Sequence, residues 1–220
     1  GEVSLAHNGV LFLDEFPEYS KNALETLRQP LEDRQISISR ARYNVTLPCS
    51  FMLVAAMNPC PCGYYNDPHH PCTCRPGQVQ RYMSRISGPL LDRIDLQVEV
   101  VPVSVRELSS APAGESSAAI RARVVAARRR QAARFADCPG VHCNAQMAAR
   151  HIKAFVHLDE SARTALEQAL DRLGLSARAY ERVLKVSLTL ADLDGVDQIT
   201  RAHIAEAISY RNLDRASWGE

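Results

Sequence analysis

Up to about residue 101 the hydrophobic positions form short unbroken or alternating runs, whereas beyond residue 117 they recur at three-and-four spacing. The stretch over 9–16, G-V-L-F-L-D-E-F, has four consecutive apolar residues closed by two acids. It predicts a strand buried on both faces, central in a parallel sheet, with Asp14 and Glu15 at its carboxyl end. A helix is expected over 20–32, with Leu24, Leu27 and Leu31 on one face and Pro30 bending its last turn. Next, I-S-I-S-R-A-R-Y-N-V-T-L alternates at period two around a polar centre, a hairpin with Arg40 and Arg42 near its tip. A second unbroken apolar strand over 50–57 runs into Asn58-Pro59, a Cys-rich loop follows over 60–77, and residues 96–101 read as a third core strand.

The pattern shifts at 109–117, S-S-A-P-A-G-E-S-S, an expected linker. Beyond it the periodicity predicts a long Ala/Arg helix over 117–135 and further helices over 145–155, 159–173, 177–192 and 200–210. The expected organisation is an α/β part over 1–108, a linker and Arg-rich helix over 109–144, and an all-helical part over 145–220.

Composition narrows the class. With 26 Lys+Arg against 25 Asp+Glu the net charge is +1, which excludes a uniformly basic coat and leaves room for local basic patches. No apolar run approaches the roughly 20 residues that span a bilayer, and the reading is a soluble, cytoplasmic protein. Seven cysteines, four of them within 60–74, fit a metal site better than a secreted disulfide framework.

Two constellations carry chemistry. Adjacent carboxylates at the end of a buried strand are costly unless a cation or a reaction uses them, and Asp14-Glu15 fits phosphoryl transfer; the alternative is two solvated acids. Asn58 ends the next apolar strand, so paired strands would set an amide beside them, placed to bond a water or a terminal phosphate oxygen. The second constellation is Cys60-x-Cys62 and Cys72-x-Cys74, whose four thiols sit in a short loop and suit structural zinc, with His69 or His70 as substitutes for one thiol. Reduced, unliganded thiols are the alternative. Cys138, His142 and Cys143 read as a chance grouping.

G-V-L-F-L-D-E-F-P-E, the hairpin ending V-T-L-P, A-A-M-N-P-C-P-C-G and I-S-G-P-L-L-D-R-I-D-L together resemble the bacterial magnesium-chelatase-like AAA+ ATPases, competence helicases among them. The likeness covers most of 1–101 and returns at 175–193. It implies a partial AAA+ P-loop NTPase core followed by a helical lid, with ATP and Mg2+ as cofactors and a hexameric ring acting on DNA, by branch migration. By that resemblance Asp14 and Glu15 are the Walker B pair, Asp14 holding magnesium, and Asn58 is sensor 1. Arg93 matches the arginine finger and Arg178 the lid's sensor 2, while Arg40 and Arg42 face DNA in the ring channel. The alternatives are an intrachain pair of Arg93 with Asp92 or Asp95, a solvated helix start for Arg178, and solvated turn arginines at the hairpin tip.

One departure matters. No G-x-x-x-x-G-K-[ST] occurs among the ten glycines. The resemblance therefore implies that the phosphate loop and first core strands lie upstream, and that this chain alone does not hydrolyse ATP. Two rival classes remain: a metal-inserting or protein-remodelling ATPase of the chelatase type, and a zinc-stabilised nucleic-acid-binding module without activity.

Overall fold

The computed structural model describes residues 1–40, 43–101, 103, 114–174 and 176–211. The chain divides into two compact units, the first spanning Gly1–Ile94 and the second beginning at Asp95.

In the first unit a single helical turn, α1 (Glu2–Leu5), leads into strand β1 (Val10–Leu13). Two short helices follow, α2 (Lys21–Thr26) and α3 (Arg28–Asp33), then the antiparallel hairpin β2 (Gln35–Arg40) and β3 (Tyr43–Pro48), and strand β4 (Met52–Ala55). Beyond the Cys-rich loop come α4 (Gln78–Met83) and α5 (Gly88–Leu91). The helix expected over 20–32 is interrupted at Leu27, which ends α2 and starts α3. That break places Pro30 in the first turn of α3, where its missing N–H leaves no intrahelical bond unmade.

Strands β1 and β4 pair in parallel, with Val10 opposite Met52 and Leu13 opposite Ala55. Leu11 and Leu13 turn toward a core of Phe16, Leu24, Leu27, Ile86 and Leu90. The expectation of burial on both faces is corrected here: Phe12 is 59% exposed and Val54 39%. Among the described residues only one face of this pair is covered, so side chains alternate between core and solvent.

The expected third strand over 96–101 is also corrected. These residues form no ladder among the described residues, and Leu96, Val98, Val100 and Val101 are exposed. The segment is held instead in the second unit, where the Gln97 N–H donates to the Tyr210 carbonyl at 2.7 Å. An apolar run becomes a strand only where a neighbouring backbone can satisfy its N–H and C=O groups.

The second unit is helical: α6 (Ser117–Arg134), α7 (Ala149–Phe155), α8 (Glu160–Leu173), α9 (Ala177–Asp194) and α10 (Arg201–Ser209). Ser116, Asp159 and Ser176 cap α6, α8 and α9 by accepting a bond from the backbone N–H three residues on. Val183, Leu184, Leu188 and Ala191 of α9 run through a core shared with Phe135, Ile152, Leu166, Ile199 and Ile204. Inside it Asp192, with no side-chain exposure, accepts bonds from Arg134 Nη1 and Asn144 Nδ2, both at 2.8 Å. The helix expected from 145 starts only at Ala149, after a short 3-10 turn, because Asn144 is pinned in this network. No helix among the described residues is long and apolar enough to cross a membrane.

Candidate functional site

The parallel register brings the two strand ends together. Ala56 N–H donates to the Leu13 carbonyl and Phe16 N–H to the Ala56 carbonyl, each at 2.9 Å, so the ladder bonds bracket Asp14 and Glu15. Asn58 lies two residues beyond Ala56, on the same edge. Asp14 Oδ1 accepts from the Glu15 N–H at 2.8 Å, closing a tight turn. Glu15 itself is left-handed, at φ 48° and ψ 44°, a conformation that costs a residue with a Cβ about 1 kcal/mol. Phe16, 2% exposed, anchors the far side of that turn in the core. Both carboxylates and the Asn58 side chain are exposed, and the strain is spent on turning Glu15 outward at the strand's end.

The cysteine loop converges. The Sγ atoms of Cys60, Cys62, Cys72 and Cys74 lie within 4.8 Å of one another, with Cys60 to Cys62 at 3.3 Å, Cys62 to Cys72 at 3.5 Å and Cys60 to Cys72 at 3.8 Å. A tetrahedron with Zn–S bonds of about 2.3 Å has sulfur–sulfur edges of about 3.8 Å, so the set fits zinc closely. Gly63 takes φ +84° as the chain turns back on Cys60, its N–H donating to the Cys60 carbonyl at 3.0 Å. At the loop tip Asp67 accepts from the backbone of His69 at 2.7 Å and His70 at 2.9 Å; these bonds lower its pKa.

Four thiols so close cannot ionise alike. The Tyr64 backbone N–H and the neighbouring sulfhydryls hold the Cys62 thiol down at about 5. Burial, together with the other sulfurs, pushes Cys74 up to about 12. A divalent cation reverses that opposition, because it makes every thiolate favourable at once. Four protein sulfurs would leave a bound ion no open position, so the arrangement suits a structural knuckle rather than a catalytic site. Among the described residues no metal-ligating group includes Cys138, His142 or Cys143.

The arginines are placed differently. Arg93 follows α5, its side chain 7% exposed; Nη2 pairs with Glu32 and Nη1 donates to the Pro89 carbonyl at 2.6 Å. The partner is neither Asp92 nor Asp95; Asp95 pairs with Arg182 in the second unit. Arg178 is the second residue of α9 and is exposed. Arg40 ends β2, opposite Tyr43, while Arg42 lies outside the described residues.

Residues 1–108 match the family model described as magnesium chelatase, subunit ChlI, and residues 114–211 match the model of its C-terminal part. The chain belongs to the magnesium-chelatase ChlI family. Within that family it is 48% identical over 217 residues to the Escherichia coli protein YifB and 46% identical over 216 residues to the competence protein ComM of Haemophilus influenzae. The Mycobacterium tuberculosis protein Rv2897c is 41% identical over 211 residues. These alignments cover 96–98% of this chain but 41% of each relative, so the chain spans about two fifths of their length.

In this ChlI-family chain the acids, Asn58, the four cysteines and Arg93 all fall in the segment matched by the first model. Glu32 is the residue that sequence reasoning missed. It sits 61 positions before Arg93, and its only local signal is an acid at the end of an amphipathic helix.

Proposed function

We propose that this chain is the Walker B-to-lid portion of a hexameric AAA+ ATPase that couples ATP hydrolysis to remodelling of DNA in the cytoplasm, by branch migration. The observation that carries the reading is the parallel β1–β4 pair, which sets Asp14-Glu15 and Asn58 on one edge. The ChlI-family membership and the likeness to a competence protein support it. In this reading Asp14 holds magnesium, which with bound ATP supplies charge neutralisation on the transferred phosphoryl group. Glu15 orients the attacking water, Asn58 bonds it or a terminal phosphate oxygen, and Arg178 faces the nucleotide from the lid. Arg93 serves a neighbouring subunit only once its pair with Glu32 opens. Arg40 and Arg42 meet DNA phosphates, and the four cysteines hold structural zinc.

The test is Glu15→Gln in the intact protein. The amide keeps the side chain's shape but does not accept a proton from water, so ATP binding should persist while turnover falls at least about a hundredfold. Unchanged turnover would overturn the assignment. A metal-inserting ATPase of the chelatase type is the second reading, favoured by the family itself. DNA-stimulated hydrolysis separates the two, since a chelatase-type enzyme has no reason to respond to DNA.

A further inference from the structure

The first unit holds a cleft of about 470 Å³ between the end of the cysteine loop and α4. Its charged lining is Arg75, Arg81, Arg85 and Glu18, with Gln78 and Tyr82 between them. Arg75 directly follows Cys74, so the cysteine knuckle fixes one wall. Gln78, Arg81 and Tyr82 share one face of α4, and Arg85 continues that face one turn on.

The charges do not balance. Glu18 is paired with Arg85 at 2.6 Å, and Arg85 also donates to the Pro17 carbonyl at 3.2 Å. Arg75 and Arg81 are exposed, and among the described residues neither guanidinium has a carboxylate partner. Gln78 is committed to the backbone, its Oε1 accepting from the Arg75 N–H at 3.0 Å, which ties the loop wall to the helix wall. Tyr82, 5% exposed, forms an aromatic floor with the Arg85 guanidinium 6.0 Å from its ring centre. The result is a concave surface lined by two planar cations that have no carboxylate partner among the described residues, the donor set that suits phosphate.

The loop beside it adds aromatic faces. Tyr64 is 44% exposed with the His70 ring 5.1 Å away, and His69 is exposed on the same loop. Basic grooves flanked by stacking rings accept single strands without reading sequence.

We infer that this cleft is a docking site for the phosphodiester backbone of single-stranded nucleic acid, separate from the hairpin that carries Arg40 and Arg42. The inference rests on the DNA part of the proposed function, and it gives the cysteine loop a role in binding, that of fixing the backbone just before Arg75.

The experiment is anisotropy of a labelled oligothymidylate with the full chain, titrated at several salt concentrations. Arg75→Gln with Arg81→Gln should weaken binding about tenfold at 0.1 M salt and reduce the slope of log K against log salt by about 1.4, two phosphates' worth for a single strand. Arg128→Gln with Arg129→Gln on α6 should change neither. Wild-type binding that the cleft variant leaves intact, with all loss arising from Arg40→Gln and Arg42→Gln, overturns the cleft while sparing the DNA reading. No binding by wild type overturns both. Displacement of the oligonucleotide by equimolar ATP or inorganic phosphate would make this a nucleotide or phosphate site and overturn the assignment. Loss of zinc from the double variant would make the arginines counter-charges of the thiolates and overturn it equally.

Discussion

Glu32, 45% exposed, clamps the guanidinium of Arg93, 7% exposed, and so joins the end of α3 to the turn after α5. Arg93 Nε has no hydrogen-bond partner among the described residues, so the cation depends on Glu32 and the Pro89 carbonyl. Removing the acid strands a buried charge. Glu32→Gln should therefore lower the stability of the first unit by about 1–3 kcal/mol, read as a shift in the urea midpoint. A midpoint unchanged within error would mean that solvent already satisfies Arg93. In the intact protein the same substitution frees the guanidinium, and Arg93→Ala mixed with active subunits should reduce turnover more steeply than dilution if Arg93 acts across a subunit boundary.

Zinc content is a direct check on the cysteine knuckle. Protein purified without added metal should carry about one zinc per chain, and Cys62→Ser should lose it. Chelation should leave the helical unit folded while exposing the four thiols to alkylation. Retention of metal by Cys62→Ser would show that these sulfurs are not the ligands.

Glu15 offers a test in which stability and activity move in opposite directions. Glycine adopts its left-handed backbone without steric cost, so Glu15→Gly should raise the stability of the first unit, by at most about 1 kcal/mol. The intact protein should at the same time lose hydrolysis. Destabilisation on this substitution would mean that the carboxylate makes contacts that outweigh the strain.

Asp192 sets an acid limit for the second unit. Burial pushes its carboxyl up, but the bonds from Arg134 and Asn144 outweigh that, and its pKa lies below the ordinary value. The folded pKa is thus lower than the unfolded one of about 3.9, so its contribution is complete above about pH 5 and fades as pH falls toward the folded value. Asp192→Asn should cost about 3 kcal/mol at pH 7 and flatten the stability profile between about pH 5 and pH 3. A variant profile as steep as wild type there would place the acid sensitivity elsewhere.

Backbone protection should differ between the two units. Amides of α9 from Val183 to Leu190 lie along the helical core, whereas those of β4 have, among the described residues, one strand neighbour and half-exposed side chains. Hydrogen exchange should be markedly slower in α9 than at Leu53 and Val54. Equal rates would mean that the sheet is protected by more than its single ladder.

The sequence was most legible where local rules and tertiary context agreed. The hairpin, α6, α8 and α10 fall within a residue or two of their expected limits, since alternation, caps and three-and-four spacing are local signals. Leu96, Val98 and Val100 carry the same apolar signal as Leu11 and Val54, yet only the latter found a parallel neighbour. A run of valines states a preference for extension, not who will pair with it. The Cys60 to Cys74 cluster was readable because four thiols in one loop need no long-range information. The clamp on Arg93 was not, because nothing near Arg93 in the chain names Glu32.

The convergence of the four sulfurs bears on how this loop can vary between relatives. Cys62 and Cys72 are ten positions apart, yet their sulfurs meet at 3.5 Å, so the chain between them leaves and returns to one point. Extra residues inserted there would lengthen a closed lobe without moving Asn58 on one side or α4 on the other. Doubling such a lobe costs only about 0.6 kcal/mol of closure entropy. The tip around Asp67 is thus a place where chain length can change without disturbing the four sulfurs, while Tyr64, His69 and His70 beside it would keep their identity if they stack on a bound strand.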